Sequence, residues 1–318
     1  MTKKQLGASQ VYVSPIILGT WSMGGDYFGE TEDRAGETVI RTYLENGIDT
    51  FDTAEIYGNG RAETMLGRAL EGVDRGSYTL ISKVFPHHYA MADMEKACDD
   101  TLKRLKTDYL DTYFLHYPPK DMTIGQAMEN ILTLKEKGKI RSIGVSNFTL
   151  DMLKKARNYA DVDVVQPCYN LLWRYIDADL LPYCVQQGIG VIPYSTLAQG
   201  LLTGHFKKDT PITAGRQRAA RFQPENYERC LEATDFLAEI GRKYDKNPAQ
   251  VCVRWMLQNP SFTAPIIGGV DDRHARRNID ALHFTLTEED YQAIDRVSRE
   301  FCRTLPEYVL FFDSKVRE

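Results

Sequence analysis

The chain has 318 residues and a formal net charge of −5, with 43% hydrophobic and 26% charged residues. That length admits one large α/β barrel or two ordinary domains, and the apolar fraction suffices for a sizeable core. Mild acidity gives no electrostatic footprint for nucleic acid or an anionic membrane, and no stretch nears the roughly 18 apolar residues of a membrane-spanning helix.

The N-terminus lacks the apolar run of a signal peptide, so a cytoplasmic location is expected. Six cysteines, Cys98, Cys168, Cys184, Cys230, Cys252 and Cys302, include no C-x-x-C pair. They read as reduced core residues and not as a disulfide framework or a zinc site.

In chain order, residues 6–14 predict a small hairpin closing the bottom of a barrel. Short apolar runs then alternate with amphipathic stretches. The runs are residues 16–21, 48–52, 79–84, 112–116, 142–146, 162–166, 190–195 and 264–268. Each is rich in β-branched or aromatic residues and ends in polar residues or glycine, as strands of a parallel sheet buried on both faces do. Helical spacing marks residues 62–70, 94–105, 127–134 and 150–156, the last preceded by Thr149 as N-cap. The connection between the seventh and eighth strands, residues 196–263, is unusually long. Its first part, 200–224, reads as a functional or disordered loop, and 226–244 and 248–257 as two helices. In the tail, Tyr308, Val309, Leu310, Phe311 and Phe312 form an apolar cluster that must be buried. Eight strands alternating with helices, with no flexible linker, predict an α/β fold. It is a single (β/α)8 TIM barrel over residues 1–318, with an N-terminal β-hairpin and extra helices near the C-terminus.

Function in such barrels gathers at the C-terminal ends of the strands. Polar residues there are Asp52, Lys83, His116, Ser146, Asn147, Gln166, Tyr194 and Ser195, and Tyr57 follows Asp52 in the loop Tyr57-Gly58-Asn59-Gly60. Taken singly, Asp52 reads equally as a helix cap, Lys83 as a solvated strand-end lysine and His116 as a satisfied core histidine. Their placement at consecutive strand ends favours a shared site.

The segment Gly47-Ile48-Asp49-Thr50-Phe51-Asp52-Thr53-Ala54-Glu55-Ile56-Tyr57-Gly58 resembles the first signature of the aldo-keto reductases. Ile81-Ser82-Lys83-Val84, Phe114-Leu115-His116-Tyr117-Pro118 and Ile143-Gly144-Val145-Ser146-Asn147-Phe148 resemble three further motifs in the same order. The resemblance runs from Gly19-Thr20-Trp21 to Asn278, and is closest to bacterial members similar to potassium-channel β subunits and myo-inositol-operon reductases. It implies a catalytic tetrad of Asp52, Tyr57, Lys83 and His116.

Elementary chemistry agrees. Carbonyl reduction builds negative charge on oxygen as hydride arrives, so the site needs a proton donor and positive potential. Tyrosine, with an ordinary pKa of about 10, is a poor acid until a nearby ammonium stabilises its phenolate. Tyr57 is thus expected as general acid, Lys83 as the perturbing cation, Asp52 as the carboxylate positioning it, and His116 as the group orienting the carbonyl. Nothing in the motifs calls for a metal.

The absence of an early G-x-G-x-x-G argues against a Rossmann domain. The resemblance instead implies a nicotinamide cofactor across the barrel mouth, NADPH with NADH also accepted. Thr20 and Trp21 would line it, with Asp52 beside it. Ser146, Asn147 and Gln166 would hold the carboxamide and Tyr194 would stack on the ring. The belt of Ser195, Thr196, Leu197, Gln199 and Gly200 would cover the pyrophosphate, although Thr196 stands where the family commonly has proline and His205 where it has lysine. Gly268, Val270, His274, Arg277 and Asn278 would meet the adenosine. Val270, Asp271 and Asp272 offer no cation for a 2′-phosphate, whereas Arg277 does, so cofactor choice is expected to be relaxed. Trp21, Tyr57, His116 and Trp173 are candidate substrate contacts for a small carbonyl compound, with Trp173 equally readable as core. Residues 86–89 and the tail are candidate lids. Two rivals stand beside the reductase: a channel-β-subunit-like adaptor or redox sensor that holds nucleotide with little turnover, and an aldolase or isomerase using Lys83 as a Schiff base.

Overall fold

The structure, a computed structural model, describes residues 2–25, 28, 29 and 32–305. The tail cluster at 308–312 lies outside the described residues. Strands β1 (Lys4–Gln5) and β2 (Tyr12–Val13) pair antiparallel as the expected hairpin. The remaining strands are β3 (Ile17–Gly19), β4 (Thr50–Asp52), β5 (Thr79–Val84), β6 (Leu110–Leu115), β7 (Ile140–Ser146), β8 (Val164–Gln166), β9 (Gly190–Val191) and β10 (Ile266–Gly268). They form one parallel sheet in the order β10-β3-β4-β5-β6-β7-β8-β9.

The two edges of this sheet curl together. Thr263 N donates to Val191 O at 2.8 Å and Ile266 N to Pro193 O at 2.9 Å. The regular ladder is short here because Pro167 and Pro193 have no N–H to give. Hence β9 covers two residues where the apolar run predicted six.

Inside the barrel, alternation decides what faces the axis. Ile17, Ile81, Phe114, Val164 and Ile192 pack into one fully buried layer, which the hairpin residues Leu6, Val11 and Val13 close from below. Gly144 leaves room for the Phe114 ring in this layer, since a Cβ there would lie 2.3 Å from it. Further along, six of the eight strands or their extensions present a polar group, Asp52, Lys83, His116, Ser146, Gln166 and Tyr194, whereas β3 and β10 end in Gly19 and Gly268. The layer of apolar side chains is therefore the floor on which the candidate site stands.

Four expected helices are present with earlier starts, Arg61–Ala69, Met91–Leu105, Ile124–Glu136 and Pro224–Arg242, whereas Pro248–Gln258 and Leu150–Ala156 begin where expected. Thr149 caps that last helix, accepting from Met152 N at 3.3 Å. Asp33–Glu45 and Leu180–Gln187 carry no expectation from the sequence, and Asp272–Asp280 and Glu288–Thr304 supply the C-terminal helices. The stretch read as a loop between 200 and 224 contains short helical turns at Ala198–Thr203, Ala214–Gln217 and Ala220–Phe222. All six cysteines are buried, as core residues are. Among the described residues no helix is long and apolar enough to cross a membrane.

Candidate active site at the C-terminal ends of the strands

Lys83, on β5, points along the barrel axis and is completely buried. An ammonium stripped of water needs acceptors, and two neighbours supply them. Its Nζ donates to Asp52 Oδ1 at 2.6 Å and to Thr53 O at 2.7 Å. The third direction leads to Tyr57 OH at 3.4 Å, with Nζ also 5.1 Å from the centre of that ring. Asp52 is held on its far side by Gln166 Nε2, 2.8 Å from Oδ2. Burial pulls Lys83 below the ordinary lysine range, partly offset by Asp52, and pushes Asp52 above the ordinary carboxylate range. Behind them Glu63, fully buried, accepts from Ser82 Oγ at 2.6 Å, Thr101 Oγ1 at 3.1 Å and Arg104 Nε at 2.6 Å. Its charge also favours the Lys83 ammonium.

His116 meets Tyr57 edge to face, with ring centres 5.9 Å apart. Its Nδ1 is buried without a protein hydrogen-bond partner. Burial, reinforced by the Lys83 ammonium, holds this imidazole well below the ordinary histidine range. At neutral pH it is therefore neutral, a hydrogen-bonding group that adds no second positive charge.

Asp52, Tyr57, Lys83 and His116 thus come together as the sequence predicts. The loop bearing Tyr57 turns at Gly58, where φ is +59° and a Cβ would lie 2.2 Å from Gly24 O. Trp21 stacks on Tyr57 at 6.2 Å and meets Phe28 edge-on at 4.9 Å. Thr20 is buried below, its N and Oγ1 both donating to Asp52 O at 2.9 and 3.1 Å.

Beside this group runs a second chain of hydrogen bonds. Ser146 Oγ donates to Gln166 O at 2.8 Å, and Asn147 Nδ2 to His116 O at 3.0 Å and Ser146 Oγ at 3.1 Å. Tyr194 OH donates to Asn147 Oδ1 at 2.7 Å, which fixes the tilt of its ring. Asn147 sits at φ +62°, a conformation asparagine tolerates better than most residues.

The following loop is conformationally costly. Ser195, Ala198, Gln199 and Gly200 all have positive φ, between 47° and 99°. Such non-glycine residues cost about 1–3 kcal/mol each and persist only where neighbours hold them. Here Arg216 Nε donates to Gln199 O at 3.1 Å while its guanidinium lies 5.3 Å from the Phe206 ring centre and 5.1 Å from that of Phe28. Thr196 is buried, its Oγ1 donating to Ile266 O at 2.9 Å, and Leu197 packs partly buried against the core.

At the end of β10, Gly268 and Gly269 lead to the exposed Val270 and then to Asp271. Asp271 caps the next helix by accepting from His274 N at 2.7 Å and lies 2.9 Å from His274 Nδ1. Asn278 Nδ2 is committed to Tyr43 OH at 3.0 Å and Gly268 O at 3.1 Å. Arg277 is exposed on the same helix. Trp173 stands on the core side of its two readings. It is 4% exposed, packed in the core under the Arg221 guanidinium at 4.6 Å. Phe85 takes up the position the sequence reading passed over, with its ring 6.0 Å from that of His116. The signal was present, because Phe85 continues the inward alternation of Ile81 and Lys83.

A cleft of about 750 Å³ lies at the opposite end of the barrel, lined by Ser9, Lys135, Arg141 and Asp163 among others. Lys135 pairs there with Asp163, Arg141 with Asp111, and Arg157 donates to Tyr183 OH and Gln187 Oε1, so the cleft gathers no comparable reactive set. Among the described residues no cluster of histidine, cysteine and carboxylate side chains could hold a metal ion.

Fold and site together define a (β/α)8 barrel with a polar, enzyme-like centre at its C-terminal mouth. The chain belongs to the aldo/keto reductase family of oxidoreductases, whose family model matches residues 15–299. It is similar to an NADH-specific methylglyoxal reductase of Escherichia coli, 29% identical over 91% of this chain and 96% of that one. A glycerol dehydrogenase of Gluconobacter oxydans superposes with a TM-score of 0.84 at 28% identity, covering 94% of this chain and 95% of that one. An aldo-keto reductase of Klebsiella pneumoniae, solved in complex with NADPH, superposes with a TM-score of 0.76 at 30% identity, covering 99% and 100%.

The buried pair makes a stability prediction. Lys83→Met leaves the Asp52 carboxylate in the barrel without its cation, and breaking such a pair costs about 3–5 kcal/mol. The double variant Lys83→Met/Asp52→Asn should lose less than the two single losses added together. Chemical denaturation of the four proteins checks this, and a single-variant loss as small as the roughly 0–1 kcal/mol of a surface pair would mean that solvent reaches the site.

Proposed function

We propose that the protein reduces aldehyde or ketone carbonyls of small molecules, sugars among them, with NADPH or NADH as cofactor and Tyr57 as proton donor. The observation that carries this reading is the Lys83 ammonium, buried, fixed by Asp52 and 3.4 Å from the Tyr57 oxygen.

The donor set suits a nicotinamide dinucleotide. Ser146, Asn147 and Gln166 place hydroxyl and amide groups on adjoining strand ends, where a carboxamide requires both donors and acceptors. Tyr194, tethered by Asn147, offers a ring face for stacking. The strained backbone from Ser195 to Gly200 suits a belt over a pyrophosphate. When bound, the reduced nicotinamide supplies the hydride.

The chain's own residues handle the proton. As negative charge grows on the carbonyl oxygen, Tyr57 OH gives up its proton and Lys83 Nζ stabilises the phenolate left behind. Asp52 and Thr53 O keep Nζ aimed, and Gln166 keeps Asp52 in place. Neutral His116 orients the carbonyl by hydrogen bonding. In the oxidative direction Tyr57 accepts the proton.

Tyr57→Phe keeps the ring and removes the donor. Nucleotide binding should persist while multiple-turnover oxidation of NADPH with a generic aldehyde falls by roughly 10²–10⁴-fold. Near-normal turnover in the purified variant would remove Tyr57 from the role. A wild-type protein that binds nucleotide and turns over none would instead favour the adaptor.

Cofactor choice follows from the β10 exit. Asp271 sets a carboxylate at the helix start where a 2′-phosphate would gain most from the helix dipole, and exposed Arg277 is the compensating cation. Both cofactors should serve, with kcat/KM for NADPH ahead of NADH by less than about a hundredfold, or roughly 2.7 kcal/mol. Measuring both ratios decides it, and a larger preference would show a phosphate site that Val270 and Asp271 do not weaken.

A further inference from the structure

Glu55 stands between Asp52 and Tyr57 and takes no part in the proton chemistry, yet its carboxylate is buried and fully engaged. Oε1 accepts from Phe85 N at 2.6 Å, and Oε2 lies 3.0 Å from His88 Nδ1. Its side chain is 8% exposed. The carboxylate therefore bridges the loop after β4, which bears Tyr57, to the loop after β5.

That second loop is built to be held. Phe85 precedes Pro86 and is extended, as a residue before proline prefers, and its N–H is donated to Glu55. A single helical turn follows over Pro86–His88. Tyr89, completely buried, then ties the turn to the loop after β6. Its hydroxyl donates to Tyr117 O at 2.6 Å and accepts from Tyr117 N at 3.3 Å, and its carbonyl accepts from Asn130 Nδ2 at 2.8 Å. Three consecutive rim loops are thus joined, with Glu55 at one junction and Tyr89 at the other.

The consequence falls on Phe85. Its ring lies 6.0 Å from His116 and 5.8 Å from Tyr117, both edge to face, next to the Tyr57–His116 pair. A ring in that place forms an apolar wall beside the carbonyl. We propose that Glu55 is a positioning residue which, by accepting the Phe85 N–H, holds the Phe85 ring as the wall selecting carbonyls that carry an aryl or other flat apolar group.

The proposal rests on the reductase reading, and two readouts separate the two. The first is amide hydrogen exchange at Phe85, which needs no turnover. Glu55→Ala should lose protection at Phe85, and Glu55→Gln, which keeps an acceptor oxygen, should retain it. Unchanged exchange in Glu55→Ala would overturn the clamp whether or not the enzyme is active. The second is kcat/KM for benzaldehyde and acetaldehyde in wild type, Glu55→Ala, Phe85→Ala and the double variant. Glu55→Ala should lower the benzaldehyde value by about tenfold, within the range of coupled neighbours, and the acetaldehyde value much less. In the Phe85→Ala background the same change should have less than about a twofold effect, because the wall is already gone. Equal losses on both aldehydes in both backgrounds would overturn the proposal and make Glu55 a general brace of the Tyr57 loop. A wild type that turns over neither aldehyde would contradict the selectivity and the reductase reading, while the exchange result would still decide the clamp.

Discussion

The structure depends on one awkward charge. Lys83 carries an ammonium into the axis of a closed barrel, where it has lost its water and the surrounding dielectric is low. Such a charge is tolerable only with acceptors at short range and fixed geometry, and these come from the neighbouring strand exit as Asp52 and Thr53 O. Asp52, buried in turn, takes its second partner from across the barrel in Gln166. The polar centre is therefore a set of mutual satisfactions spanning several strands, and the apolar layer around Phe114 keeps those strands in register below it.

The arrangement also explains why His116 does not compete with Lys83 as a second cation. His116 faces the same ammonium and the same dry surroundings, and both act to keep it neutral. The positive potential is then concentrated on one atom, Lys83 Nζ, which lies nearest to Tyr57 OH. Most of the positive-φ residues near the mouth lie in the Ser195–Gly200 loop, where Arg216, packed against Phe206 and Phe28, holds the backbone from outside.

Much of this was legible in the sequence because barrel strands write their layers as alternation. All eight apolar runs became strands, and in six of them a polar residue at or near the end of the run stands at the mouth. Departures trace to chemistry that periodicity does not carry. Proline at 167 and 193 shortened the ladder of β8 and β9, and Pro224 started a helix two residues before the apolar pattern did. Which of its two readings Trp173 takes was not legible either, since its contact with Arg221 joins segments far apart in the chain. Glu55, Glu63 and Gln166 gained their partners only through folding, since each bonds to a strand or loop that the sequence places elsewhere. Phe85 was readable from its parity with Lys83.

The central claim is that the buried Lys83 ammonium makes Tyr57 an effective acid and, in reverse, an effective base. The most direct measurement is the pH profile of kcat/KM for alcohol oxidation in wild type and in Lys83→Met, followed on the residual activity of the variant. Removing the cation disfavours the phenolate, so the inflection that governs oxidation should move to higher pH in Lys83→Met. An inflection at the same pH in both proteins, with both folded and binding nucleotide, would contradict the account.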